Sequence, residues 1–190
     1  MKNIVIFGPP GAGKGTQSEK IITKFKLIHI STGDILRNEV ENNTELGQQA
    51  KKMMHQGILV SDKIVIGMIK NKIQKDINNN GFIFDGFPRT INQATNLDNL
   101  MNKINIKIDT MIALEVNNEE LIKRLLLRGE NSGRKDDQNQ NIIENRIKEY
   151  NQKTLPIKEY YKKKNKLNIV NGTGSISDIS EKINIIIKNL

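Results

Sequence analysis

A short apolar run, Ile4 to Phe7, empties directly into the segment GPPGAGKGT at positions 8–16, and this junction constrains the chain more than any other feature. Gripping a phosphate takes converging backbone N–H groups, which requires glycines able to adopt dihedrals that other residues avoid. The positive end of a helix beginning immediately afterwards adds to the attraction. Lys14 then stands where its ammonium reaches the outer phosphates of a nucleotide as a point charge. The hydroxyl that commonly follows such a lysine is replaced by Gly15, with Thr16 one position later. Contact between this loop and magnesium is therefore expected through water.

The rest of the chain continues the alternation that this junction starts. Asn3–Phe7, Leu27–Ile30, Gly81–Phe84, Thr110–Val116 and Leu167–Val170 read as buried strands bounded by Gly, Asp or Asn. Helical periodicity falls on Lys14–Phe25, Asp34–Glu41, Glu45–His55, Asp62–Ile77, Asn92–Met101, Glu119–Arg128, Ile142–Tyr161 and Ile176–Lys188. Strand–helix alternation predicts an α/β fold, a parallel sheet covered by helices on both faces. At 190 residues, with no repeat and no long linker, the chain fits one domain. The stretch Gly129–Asn141 has no apolar residue and reads as a mobile surface segment.

Further anion-binding chemistry follows each early strand. The second ends in Ser31-Thr32-Gly33-Asp34, where a helix cap explains Thr32 or Asp34 but not Arg37 on the same first turn. Beside a phosphate loop this becomes a second anion site. The third strand runs into Asp85-Gly86-Phe87-Pro88-Arg89-Thr90. Asp85, at the carboxyl end of a buried strand, is placed to hold magnesium through water. Pro88 fixes the turn, and the forked guanidinium of Arg89 suits a phosphate. Gln93 is spaced to share a helical face with Arg89, and its amide suits the donor and acceptor edge of a base. Arg124 and Arg128, four apart, join Arg134 and Arg146 in a positive collar of the kind phosphoryl transfer needs.

Taken together these segments resemble the adenylate kinases along essentially the whole chain. The resemblance is carried by GPPGAGKGTQ at 8–17, STGDILR at 31–37, GILVSD at 57–62, GFIFDGFPRTINQA at 81–94, RLLLRG at 124–129, SGRKDDQ at 132–138 and NGTG at 171–174. It implies a P-loop kinase core with a five-stranded parallel sheet flanked by helices, spanning 1–30, 61–127 and 139–190. It also implies a small helical insertion for the nucleoside monophosphate at 31–60 and a short lid at 128–138. The implied reaction is ATP + AMP ⇌ 2 ADP with magnesium, and no zinc, since the chain has no cysteine. By the same resemblance, Gly11, Ala12, Gly13, Lys14, Gly15, Thr16, Arg124, Arg128 and Gly174 bind ATP. Thr32, Arg37, Ile58, Leu59, Val60, Gly86, Phe87, Pro88, Arg89 and Gln93 bind AMP. Arg134 and Arg146 contact the phosphates in transfer, so that Lys14, Arg89, Arg128, Arg134 and Arg146 are the implied catalytic set. The chain is similar to the short-lid members, and is one residue longer than many of them between Asp137 and Arg146.

The rival readings are weaker. A pyrimidine monophosphate kinase shares the phosphate loop and the arginines, and only the resemblance at Thr32 and Gln93 favours adenine. A GTPase-type switch would carry an Asn-Lys-x-Asp guanine reader, but Asn71-Lys72-Ile73-Gln74 and Asn102-Lys103-Ile104-Asn105 both lack the Asp. A net charge of +9 invites a nucleic-acid partner. The excess lysine is scattered over helix faces, however, and 4% aromatic content offers few rings on which bases could stack. No nucleic acid and no membrane is expected as a partner, only ATP, AMP and ADP. With no export signal and no cysteine, a cytoplasmic monomer is the expectation.

Overall fold

The computed structural model describes residues 1–76 and 79–190. Its five strands are β1 (Ile4–Phe7), β2 (Ile28–Ser31), β3 (Phe82–Asp85), β4 (Thr110–Glu115) and β5 (Leu167–Asn171). They form one sheet in the order β2-β3-β1-β4-β5, every pair parallel. Ile4 lies opposite Ile83 on one side and Thr110 on the other. The strands are continuous apolar runs because both faces are covered, and alternate residues feed two separate cores. Val5, Phe7, Phe82, Phe84, Met111 and Ala113 point to one core, and Ile4, Ile6, Ile83, Ile112 and Leu114 to the other.

The first core is closed by α2 (Thr32–Glu41), α3 (Glu45–His55), α4 (Asp62–Lys75), α5 (Ile91–Lys103) and the short α8 (Ile157–Lys162). The second is closed by α1 (Lys14–Phe25), α6 (Asn118–Ser132) and α9 (Ile176–Lys188), which supply Ile21, Leu121, Ile179, Ile183 and Ile187. A parallel sheet sends all strand carboxyl ends to one edge. The order changes direction at β1, between β3 and β4, and ligand crevices open at such switch points. The phosphate loop follows β1, so the fold puts it there.

Three expectations are revised. Ile142–Tyr161 is not one helix but α7 (Gln140–Glu149), a π-turn at Tyr150–Thr154, and α8. Pro156 explains the break: it has no N–H to donate and sits at the start of α8. The polar stretch after Arg128 is more ordered than its composition suggests, since α6 runs on to Ser132 and a 3-10 turn covers Lys135–Asp137. It packs through charge rather than apolar contact, with Asp137 fully buried. Gln93 and Arg89 do not share a helical face, because Thr90 caps α5 and Arg89 lies before it. The α4 pattern extended to Ile77, which lies outside the described residues. Among the described residues no helix is long and apolar enough to cross a membrane.

Three of the five lysines between positions 158 and 166 are paired. Lys158 meets Glu115, Lys162 lies 3.5 Å from Glu159, and Lys164 meets Asp98 with its ammonium 4.3 Å from the Tyr160 ring centroid. Tyr160 also donates to Asp98 at 2.8 Å, tying α8 to α5.

Candidate active site

Gly13 has φ of 89°, a left-handed conformation open to glycine at little cost, and it turns the chain from the loop into α1. The Lys14 side chain folds back over the loop, donating to the carbonyls of Gly8 at 2.8 Å and Pro9 at 2.9 Å. Burial pushes its proton affinity down to about 8, and Arg89, Arg128 and Arg146 push the same way while Asp85 opposes them. A lysine so poised is held ready for a strong anion.

After β2, Ser31 rather than Thr32 or Asp34 caps α2, accepting from the Asp34 N–H at 3.3 Å. Thr32 is thereby free to donate from Oγ1 to the Gly86 carbonyl at 2.7 Å, joining the loops after β2 and β3. Arg37 pairs with Asp34 one turn back. After β3, a cis Phe87–Pro88 peptide leads to Arg89. Its Nε donates to Gly86 O at 2.7 Å, and its own carbonyl accepts from Thr154 of the π-turn at 2.9 Å. Burial, then the charge of Arg146, lowers the Arg89 guanidinium to about 10 against the pull of Asp85, so it stays charged at neutral pH.

One cleft brings most of these groups together. It is lined by Gly8 and Lys14, by Thr32, Gly33 and Arg37, by Gly57 to Val60, by Gly86 to Arg89 with Gln93, and by Asp136, Arg146, Tyr150 and Thr154. The remaining expected residues lie around the loop instead. Arg124 donates to Glu120 at 2.7 Å and to the carbonyl of Gly172 at 3.0 Å, in the segment that leads to Gly174. A Cβ on Gly172 would lie 3.5 Å from the Ala12 carbonyl, and one on Gly11 would lie 3.0 Å from Leu125. This brings α6, the phosphate loop and the β5–α9 turn to one place. Gly15 and Thr16 are exposed on the first turn of α1.

The arginine collar is organised by a residue that the sequence reading did not select. Asp137 accepts from Arg128 at 2.6 and 3.0 Å and from Arg146. Burial disfavours its charge, but the Arg128 hydrogen bond and the charges of Arg146 and Arg128 outweigh burial and hold the carboxyl below the usual range. Arg146 also lies 3.0 Å from Asp136. Arg134 points across the cleft mouth, 3.7 Å from Asp34 on α2. Thr154 and Asp137 were missed because each is a polar residue buried by partners that no helical or strand spacing links to it, 65 residues away for Thr154 and nine for Asp137. Pro156, two positions beyond Thr154, was the available signal for the π-turn.

Asp85 ends β3 with Oδ2 4.0 Å from where a Cβ on Gly15 would stand, and 3.7 Å from His29 Nε2. No group of three or more carboxylate, His or Cys side chains suited to a metal occurs among the described residues. Asp85 is a single carboxylate beside the loop, a donor of the kind that suits the water shell of a cation carried in on phosphate oxygens.

The pattern of the adenylate kinase family matches residues 6–166. Over all 190 residues the chain is 48% identical to an adenylate kinase of Flavobacterium psychrophilum, covering the whole of both chains. It is 46% identical over 183 residues to an adenylate kinase of Leptospira biflexa, covering 96% of this chain and 98% of that one. A third, from Bacteroides fragilis, is 47% identical over 183 residues and 96% of each chain. Likeness of this extent, on a fold whose loops converge as described, establishes that the chain belongs to the adenylate kinase family.

Proposed function

We propose that this chain catalyses ATP + AMP ⇌ 2 ADP with AMP bound in the cleft and ATP along the phosphate loop. The activity follows from the family; the residue roles are those the resemblance implies, supported by the geometry. The observation that carries them is the convergence of Lys14, Arg37, Arg89 and Arg146 on one cleft that also holds Gln93. Arg37 and Arg89 would grip the monophosphate, Thr32 and the backbone from Ile58 to Val60 would enclose the nucleoside, and Gln93 would face the base. Lys14 and the loop N–H groups would hold the outer phosphates of ATP, with Arg124, Arg128 and Gly174 on its outer side. Arg134 and Arg146 would meet the phosphoryl group in flight.

The attacking atom is a phosphate oxygen already ionised at neutral pH, so no general base is required. Rate enhancement then comes from alignment and from cations placed where charge spreads over the equatorial oxygens. Magnesium, when bound with ATP, supplies further charge neutralisation, and Asp85 would hold its water shell. Closing the cleft mouth excludes water, which would otherwise compete as acceptor. A monomeric enzyme in a cytoplasmic setting is proposed with it, on the strength of the family resemblance.

Incubation with Mg-ATP and AMP, GMP, CMP or UMP separately, followed by chromatography of the products, tests the substrate. AMP should lead by a wide margin; comparable turnover of CMP or UMP would transfer the chain to the pyrimidine kinases. Sedimentation with and without nucleotide checks the monomer.

A further inference from the structure

Gln93 is 1% exposed, and both ends of its amide are engaged. Oε1 accepts from the Arg89 N–H at 2.7 Å, and Nε2 donates to Asp62 Oδ1 at 2.7 Å. The orientation of a buried amide is commonly ambiguous, but not here. A backbone N–H can only donate and a carboxylate can only accept, so each neighbour independently dictates which end is oxygen. Asp62 is itself held, its Oδ2 accepting from Thr90 Oγ1 at 2.9 Å and from Asn92 Nδ2 at 2.8 Å. It opens α4 and does not line the cleft, whereas Gln93 does.

An amide fixed in this way retains one N–H and one oxygen lone pair. Those two groups complement adenine, whose pairing edge offers a donor at N6 and an acceptor at N1. Hypoxanthine and guanine present the reverse, an acceptor at O6 and a donor at N1–H, and would need the amide turned over. Turning it over would set the NH2 against the Arg89 N–H and the oxygen against the Asp62 carboxylate. Both contacts are repulsive and buried, and a site left with unpaired polar groups discriminates strongly.

We infer that Asp62 is a specificity-determining positioning residue, which never touches the nucleotide but locks the Gln93 amide in the orientation that accepts 6-aminopurine and rejects 6-oxopurine monophosphates. The inference rests on the reading that the base of AMP lies against Gln93.

The test compares kcat/KM for AMP and for IMP at fixed Mg-ATP, with melting temperature measured alongside. In Asp62→Asn the new side chain can donate as well as accept, and the AMP-to-IMP ratio should fall roughly tenfold or more, the worth of one discriminating hydrogen bond. Asn92→Ala removes another of the Asp62 partners but leaves the Gln93 contact, and should keep the wild-type ratio. Equal losses for AMP and IMP in Asp62→Asn would mean a purely structural role and overturn the inference. Should that variant not fold, the wild-type enzyme decides. Purine riboside monophosphate keeps the N1 acceptor and bears nothing at C6, so it should rank between AMP and IMP; IMP ranking at or above it would show the amide is not locked. Gln93→Ala separates the two levels. If it leaves the wild-type ratio intact, the placement of the base at Gln93 fails; if it collapses the ratio while Asp62→Asn does not, only the lock fails.

Discussion

Burial, with Arg89, Arg128 and Arg146 pushing the same way against Asp85, has lowered the proton affinity of the Lys14 ammonium to about 8 from an ordinary 10.5. Between those two values the unfolded chain carries more protons than the folded one, so stability should rise with pH across that window. A bound triphosphate works in the opposite sense, restoring the charged form. ATP binding should therefore draw in close to one proton near pH 9 and little at pH 7, with affinity weakening above about pH 8. Calorimetry in two buffers of different ionisation enthalpy measures the uptake; none at pH 9 would remove Lys14 from the phosphate site. The identity of such residues was legible in the sequence, because glycine spacing and the arginines after each strand are local patterns. Their partners were not. Gln93 follows Arg89 by four residues, yet Asp62, which turns its amide, lies 31 residues earlier.

The three-part run of α6, the 3-10 turn and α7 shows what periodicity can and cannot supply at the level of elements. Strands were recoverable because both faces of a parallel sheet are buried and leave unbroken apolar runs. Helices facing one core were recoverable from their stripes. The segment after Arg128 has no stripe, because one buried carboxylate holds it in place. Asp137, 0% exposed, bridges Arg128 on α6 and Arg146 on α7. The carboxylate is buried but the side chains of Arg128 and Arg146 are 36% and 20% exposed, so losing it should cost less than breaking a fully buried pair, about 1–3 kcal/mol. Asp137→Asn should thus lower the melting temperature by several degrees, and a bisubstrate analogue (two adenosines joined by a phosphate bridge) should recover more of it than it adds to wild type, since its phosphates replace the lost negative charge. For wild type the acid side carries the matching signature. The Asp137 carboxyl sits below its usual range, so its contribution is full above the unfolded carboxylate value and fades as pH falls through the depressed one. Melting curves from pH 7 to pH 2 for both proteins check this, and parallel acid profiles would mean that Asp137 carries no linkage.

Across the whole molecule, the two pieces that cover the sheet edge come from opposite sides and meet over the cleft. Residues 31–60, the proposed insertion, bring Arg37, Asp34 and the Gly57 turn, and a Cβ on Gly57 would stand 3.0 Å from the carbonyl of Ile142 on α7. Residues 128–138, the proposed lid, bring Arg134 to 3.7 Å from Asp34. Burial, then repulsion from Arg37 and Arg128, lowers the proton affinity of the Arg134 guanidinium, with Asp34 and Asp137 opposing. A cation gathered among cations at the mouth of a cleft has phosphate as its natural complement. Arg134 makes one long ion pair and its side chain is 31% exposed, so truncation should shift stability by no more than about 0.5 kcal/mol. If it meets the phosphoryl group mainly at the transition state, Arg134→Ala should lower kcat by roughly 10³-fold or more while KM for ATP moves far less. The bisubstrate analogue should still bind, more weakly, because Lys14, Arg37 and Arg89 keep their places. Melting temperature, KM and kcat measured on one preparation distinguish the cases. An unchanged kcat would make the lid a surface cover without chemistry, and a large fall in melting temperature would make Arg134 a structural tie between lid and insertion; each result would take it out of the transfer step.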